Sequence, residues 1–364
     1  MSRVTSIRRP PAGYIETLLA EQPKLPTSPL MGVNQLRSKA VNHLATLTLP
    51  TKRDEAWRFT DISALTKLLF QPVSPVISLE NIDVEHFYLE EATTRLVFVD
   101  GVYASELSII TEESGVTVVK LPSADATHAE LIESHLGRHV DLEDNVFATL
   151  NTAFLHDPAL ITVSRNTAVI DPIHVLFIAT QTRVASYPRC LVAAESGSSV
   201  TLIEDYVALH DETYLINSVT EIALADNARV NHIRVQRDSG EAFHIANCSV
   251  SVGRSSNYQS VSVALGAKTS RYNLNVLMDE GAECAVDGLA LIADSQLADT
   301  HTCIDHSQPH GVSRQLHKCI VGGKAHAVFN GNIRVRQDAQ STNSKQSNGN
   351  LLLTEKAHVD TKPQ

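Results

Sequence analysis

Positive charge is scarce in this sequence. Its 364 residues carry 30 Lys and Arg against 41 Asp and Glu, a formal charge of -11 at pH 7. Surfaces that hold phosphate backbones or anionic bilayers need clustered Lys and Arg, so no nucleic acid and no membrane is expected among the partners. Nowhere is there an apolar run of the ~20 residues a membrane-spanning helix requires. Residues 1–30 place Arg3, Arg8 and Arg9 before Pro10, Pro11 and Gly13 and show no unbroken apolar stretch of the signal-peptide kind. Cysteine is sparse as well. Cys190, Cys248, Cys284, Cys303 and Cys319 are an odd number spread along a long chain, which excludes a disulfide-stapled small domain and predicts a reducing, cytoplasmic setting.

Catalytic signatures are missing too. No Gly-x-Ser-x-Gly elbow, His-Glu-x-x-His pair or Cys-x-x-Cys pair occurs, which removes the commonest hydrolase, zinc-protease and dithiol chemistries. Gly266-Ala-Lys-Thr269 ends like a phosphate loop, but Ala267 stands where the backbone cradle needs glycine, so the segment reads as a turn.

What is present changes character near residues 140–160. Before that point the sequence reads as helical and mixed. From Pro29 to Leu47, Val33, Leu36, Ala40, Leu44 and Leu47 recur at helical spacing behind Ser28 as N-cap and Pro29 as first helical residue. Trp57, the only tryptophan, sits with Phe59, Ile62 and Leu65 in a short amphipathic piece that reads as a packed anchor. Leu96-Val-Phe-Val99 is a strand ending in the Asp100-Gly101 turn signal, and a helix is expected after Ser123, carrying Leu131, Ile132 and Leu136 and closed by Gly137.

Beyond Asn151, short β-rich runs alternate with small polar and glycine residues. Ile222/Leu224, Ile233/Val235, Val250/Val252, Val261/Val263/Leu265 and Ile333/Val335 show period-two alternation, predicting strands with one buried and one wet face. Turn-like segments recur at Glu195–Ser199, Ala225–Arg229, Glu280–Cys284, Gly322–His326 and Thr354–His358, at a spacing of roughly 30 residues, which suits stacked repeat units. Few Asn-Gly or Asp-Gly hairpin turns occur, which weighs against an antiparallel β-sandwich, the alternative on periodicity alone. The expected fold is mostly β with a helical N-terminal region, the core a right-handed parallel β-helix (β-solenoid). The expected division is an α-helical and mixed domain over 1–150 and the β-helix over 151–364. The last readable strand ends at Val359–Gln364 without a cap, so that coil is expected to need a cap or a partner.

One local cluster carries ligand chemistry: His301, Cys303, Asp305 and His306, followed by His310, His317 and Cys319. On a strand His301, Cys303 and Asp305 share a face, and imidazole with thiolate suits iron, zinc or copper. His301, Cys303 and His306 are therefore the metal candidates, against the plainer reading of a solvated polar loop, since no fixed ligand spacing is met. Cys190, Cys248 and Cys284 read as small buried hydrophobes. Arg271 and Arg314 read as surface arginines that solvate or pair.

Several separate stretches, in order, resemble one family, the iron-sulfur cluster assembly proteins SufB and SufD. They are Pro50-Thr-Lys-Arg-Asp-Glu-Ala-Trp-Arg-Phe-Thr-Asp61, Leu96–Gly101, Leu142–Phe147, Leu150–Phe154, Pro172-Ile-His174, Pro188-Arg189 and Ile203-Glu-Asp-Tyr206, then Ser313–Lys318, Ala327–Gly331 and Val359-Asp-Thr-Lys-Pro-Gln364. The Leu96 and Ser313 segments look like the SufD side of the family. The resemblance implies a non-enzymatic scaffold subunit of a SufBCD complex. Its β-helix would pair with a SufB-type paralogue, with a homodimer as a further state, and a SufC-type ATPase would supply ATP chemistry. It implies no intrinsic cofactor, only a transient iron-sulfur cluster within the assembled complex. The family's SufC-docking helical region and its Cys-Ser-His-Gly-type motif are expected beyond Gln364. No family ligand position falls on the His301–His306 cluster. The competing functions are a β-solenoid polysaccharide-active enzyme and a histidine-rich metal-binding protein.

Overall fold

The computed structural model describes residues 13–73, 79–111, 115–119, 124 and 126–364. The sequence signals at Arg3 to Pro11 and at Ser123 lie outside them. Six α-helices occur among the described residues: α1 (Tyr14–Leu19), α2 (Met31–Leu44), α3 (Ser63–Thr66), α4 (Asn81–Val84), α5 (Ala126–His135) and α6 (Val146–Ala153). The first strands are β1 (Gln71–Pro72), β2 (Thr94–Val99), β3 (Val102–Tyr103) and β4 (Val116–Val119). There follow β5 (Ala159–Val163), β6 (Ile173–Ala179), β7 (Val184–Ser186), β8 (Arg189–Ala194), β9 (Ser199–Ala208), β10 (Leu215–Leu224), β11 (Arg229–Arg237) and β12 (Phe243–Val252). The last are β13 (Asn257–Ala264), β14 (Thr269–Met278), β15 (Glu283–Ile292), β16 (Leu297–His306), β17 (Val312–Val321), β18 (His326–Val335), β19 (Asn343–Leu352) and β20 (His358–Pro363).

From β8 onward, strands alternate between two parallel sheets. Sheet A runs β20-β18-β16-β14-β12-β10-β8-β5 and sheet B runs β19-β17-β15-β13-β11-β9-β6-β2, so each coil adds one strand to each, as in a β-solenoid. The advance per coil ranges from 26 residues, Phe243 pairing with Thr269, to 32, His326 pairing with His358. One corner repeats a left-handed residue: Asn166, Gly197, Asn227, Ser255, Gly281, His310 and Ser341 all have positive φ. The Asn227 N–H donates to Arg254 O and the Ser255 N–H to Glu280 O, each 2.9 Å away in the next coil. The small residue after such a position turns inward: Ala228 and Ala282 are fully buried. Tight corners thus leave no room for larger side chains, and the recurring small-residue segments in the sequence mark them.

Polarity inside the solenoid departs from the simple alternation. In β10 and β12 the predicted apolar face is buried, with Ile222, Leu224, Val250 and Val252 inside, but the opposite face is not wet: Glu221 and Asn247 are buried there too, bonded to Gly137, His139 and Asn145 of the N-terminal layer. In β11 and β13 the faces are exchanged: His232, Arg234 and Gln236 point in and are buried, whereas Val261 is 43% exposed. The inward polar groups find partners in neighbouring coils. His232 lies 2.9 Å from Glu204, which accepts a 2.8 Å bond from the Thr220 hydroxyl. Asp238 takes a 2.9 Å bond from Tyr214 and pairs with His244 at 2.8 Å, and Arg234 is flanked by the rings of Tyr206 and Tyr272. A buried polar group that is fully partnered is tolerated in a core, and apolar residues are then free to face out.

The N-terminal region covers the outer face of sheet A. α2 places Val33, Arg37, Ala40 and Leu44 inward. It starts two residues later than Ser28 and Pro29 suggest, with Leu30 as N-cap, because the Ser28 hydroxyl accepts the Leu30 N–H and the Asn34 amide closes the bend through Ser28. α6 is buried along its whole length, is capped by Asn145 accepting from the Ala148 N–H at 3.1 Å, and packs Phe147 and Leu150 with Leu215, Phe243 and Ile245. The Asp100-Gly101 signal is a tight turn with both residues at positive φ between antiparallel β2 and β3, and Gly137 follows α5 with φ +73. β2 pairs in parallel with β6, so strands from the first 150 residues belong to the same sheets as the solenoid.

Candidate functional site

At the margin of the N-terminal cover, the outer face of sheet A forms a groove of about 740 Å³. One wall is the segment around Thr46 to Trp57; the floor is the outward side chains of β14, β16, β18 and β20. Parallel register sets those side chains in rows. Asn273, His301, Asn330 and Lys362 form one row, and Asn275, Cys303 and Asn332 the next. At the rim Lys362 pairs with Glu55 at 2.5 Å, a solvent-exposed contact of small energetic weight.

The charged centre of the groove is Arg271 with Asp299. The two are register neighbours on β14 and β16, both almost fully buried and ion-paired. Arg271 also donates to Ala56 O at 2.9 Å and to Asn273 Oδ1 at 3.1 Å, with its guanidinium 3.9 Å from the centre of the Trp57 ring. Thr60 donates its hydroxyl to Asp299, and His301 Nε2 lies 2.8 Å from Asp299 Oδ1. Burial pushes the Asp299 carboxyl up, but Arg271, His301 and Thr60 outweigh it and hold the group below the ordinary carboxylate range. Arg271 is therefore no free surface arginine. It fastens the Trp57 segment to the solenoid, while Arg314 stays exposed, 3.9 Å from Asp287.

The three metal candidates do not come together. His301 and Cys303 share the outer face of β16, as does Asp305, but His306 points into the solenoid, fully buried, with Nε2 2.9 Å from Ser313 Oγ. The reason is strand parity: 301 and 306 differ by an odd number, so they occupy opposite faces. Asp305 is taken by Arg336 at 2.9 and 3.0 Å. Cys303 has its thiol pushed up by burial, with Arg334 and Asp305 acting in opposite senses. His317 is buried and stacked on Phe329 at 4.4 Å, and His310 occupies a left-handed corner. The Gly266–Thr269 segment is also a corner, with Ala267 at φ +68 and Lys268 paired with Glu241 at 2.8 Å. Burial pushes the remaining thiols up as well, Cys284 to about 12 and Cys319 to about 11, with Cys190 and Cys248 also raised.

A second group of ligand-type side chains lies outside the His301 cluster. His326, His358 and Asp360 converge at the start of β18 and β20, and they are the one His, Cys, Asp and Glu cluster of three with converging ligand atoms among the described residues. Its signal was a repeated triplet, Lys324-Ala-His326 and Lys356-Ala-His358, one coil apart.

Residues 177–364 match the family profile described as SUF system FeS cluster assembly, SufBD core domain, and residues 12–175 match SufBD protein N-terminal region. The chain belongs to the SufBD family. A Synechocystis protein named as an iron-sulfur cluster assembly SufBD family protein is 41% identical over 341 residues, covering 90% of this chain and 75% of its own length. The iron-sulfur cluster assembly protein SufD of Escherichia coli is 31% identical over 335 residues, 90% of this chain and 76% of that protein. The chloroplastic protein ABCI7 of Arabidopsis thaliana is 30% identical over 343 residues, 91% and 71% of the two chains. The core-profile boundary at residue 177 falls within β6, inside the sheets of this SufBD chain. Among its described residues no helix is long and apolar enough to cross a membrane.

Proposed function

We propose that this SufBD-family chain is a SufD-type scaffold subunit of iron-sulfur cluster assembly, non-catalytic by itself. It pairs through its β-helix with a SufB-type paralogue and works with a SufC-type ATPase in a reducing compartment such as the cytoplasm. The observation that carries the reading is the outer face of sheet B. Ile203, Ile233 and Val261 stack in one column and Val235, Val263 and Leu289 in the next, and Val261 and Leu291 stand 43% and 44% exposed. Aligned apolar side chains on a solvent-facing sheet suit a protein partner. The groove supports a binding role better than a reactive one. Its strongest charges, Arg271 and Asp299, neutralise each other, and its thiol is held protonated.

A polysaccharide-active enzyme needs free carboxylates converging on an open face. The buried carboxylate at the centre of the groove, Asp299, is instead ion-paired with Arg271, Glu55 at the rim pairs with Lys362, and Asp54 and Asp141 accept bonds from their own loops, at Thr51 and at the Glu143 N–H. The test is reconstitution. The chain alone hydrolyses no ATP, and adding it to SufB-type and SufC-type proteins raises the rate at which an acceptor apoprotein gains its cluster. An unchanged transfer rate with and without the chain would overturn the reading.

A further inference from the structure

Outside the groove, two histidines and an aspartate from successive coils meet at one point. His326 opens β18 and His358 opens β20, in parallel register with each other. Their side chains therefore leave the same outer side of sheet A one strand spacing apart, with ring centroids separated by 4.8 Å. Asp360 follows His358 by two residues and returns to that face. Its Oδ2 lies 2.8 Å from His326 Nε2 and 3.1 Å from His358 Nε2.

We propose that His326, His358 and Asp360 bind one divalent transition-metal ion through two imidazole nitrogens and a carboxylate oxygen. An ordinary surface ion pair uses one imidazole per carboxylate; here a second stands against the same oxygen. Two nitrogens and one oxygen form a donor set of intermediate softness, suited to iron(II), zinc or cobalt and ill suited to calcium or magnesium, which take oxygen ligands. Ligand atoms around a tetrahedral ion at ~2.0 to 2.1 Å stand ~3.3 Å apart, so the two imidazole–carboxylate separations need open by only a few tenths of an ångström, and all three ligand atoms already lie within 4.8 Å of one another. The backbone is already fixed, since the His326 N–H donates to Gln296 O at 2.9 Å and the His358 N–H to Ala325 O at 3.0 Å. Side-chain exposures of 26%, 65% and 27% for His326, His358 and Asp360 leave the cluster open to an ion from solvent, with water completing the coordination. The inference stands independently of the scaffold reading.

Cobalt(II) is the probe, because its visible d–d absorption reports imidazole ligation and geometry. Titration of the whole chain gives one equivalent with these bands, and anaerobic iron(II) and zinc compete for it. His358→Ala and Asp360→Asn each weaken that binding at least tenfold or abolish it, while His86→Ala, at an exposed histidine elsewhere, leaves it unchanged. Far-UV circular dichroism of the variants matches wild type, since His358 is largely exposed. No stoichiometric binding, or equal binding in wild type and both variants, would overturn the assignment. Displacement of cobalt by equimolar calcium or magnesium would overturn the choice of ion class.

Discussion

The guanidinium of Arg271, on β14 of the solenoid, lies 3.9 Å from the centre of the Trp57 ring in the N-terminal layer. With Asp299, Thr60 and the Ala56 carbonyl, this contact makes one buried polar anchor between segments more than two hundred residues apart in sequence.

Removing Arg271 leaves the Asp299 carboxylate buried without its cation. Arg271→Ala is expected to lower stability by about 3 to 5 kcal/mol, the range for breaking a buried pair from one side. Arg271→Lys keeps the charge but loses the planar stack and the fork, and is expected to fall between the two. Urea unfolding with tryptophan fluorescence reads both, since Trp57 is the sole tryptophan. An Arg271→Ala protein within 1 kcal/mol of wild type would refute the anchor.

Acid weakens the fold through two histidines. Burial, then Arg95 and Arg237, pushes the His174 pKa down to about 4, and burial does the same to His317. An unfolded histidine takes up its proton near ~6.5. Stability from both residues is therefore complete above that pH and is lost as pH falls from about 6.5 towards 4, at about 1.4 kcal/mol per unit for each residue. His174→Leu and His317→Leu each reduce the slope of unfolding free energy against pH in that window by about one proton. The slope comes from urea titrations at several pH values.

Gly288 lies inside the solenoid, where an added Cβ would meet the His317 ring. That ring cannot retreat, being stacked on Phe329 at 4.4 Å and 6°. Gly288→Ala is expected to cost about 1 to 3 kcal/mol. Gly349→Ala meets no atom within 4 Å and is expected to stay within about 0.5 kcal/mol of wild type. Thermal unfolding distinguishes the two.

The apolar columns on sheet B give a binding prediction. Val261→Glu and Leu291→Glu, both at exposed positions, leave the unfolding midpoint unchanged and weaken association with a SufB-type paralogue at least tenfold, as measured by isothermal titration calorimetry.

Much of this architecture is written in local sequence. The recurring small-residue turns mark the corners, and Asp100-Gly101 and Gly137 sit where positive φ is required. Strand parity alone separates His306 from His301. Local pattern fails where a residue's partner lies a whole coil away. Periodicity would place Ile233 and Val235 inside, yet His232 and Arg234 take the interior because Glu204, Tyr258 and His244 wait there. The same limit hid the Arg271 anchor, whose ring partner is Trp57, and the His326 and His358 pairing, which needs the length of the coil between them.

The central claim is that this chain works as one half of a pair. The direct measurement is the native mass of an equimolar mixture with a SufB-type paralogue, by size-exclusion chromatography with light scattering. The account predicts a single species whose mass is that of the paralogue plus 39.6 kDa. Two independent peaks, with neither protein shifted by the other across the concentration range, would contradict it.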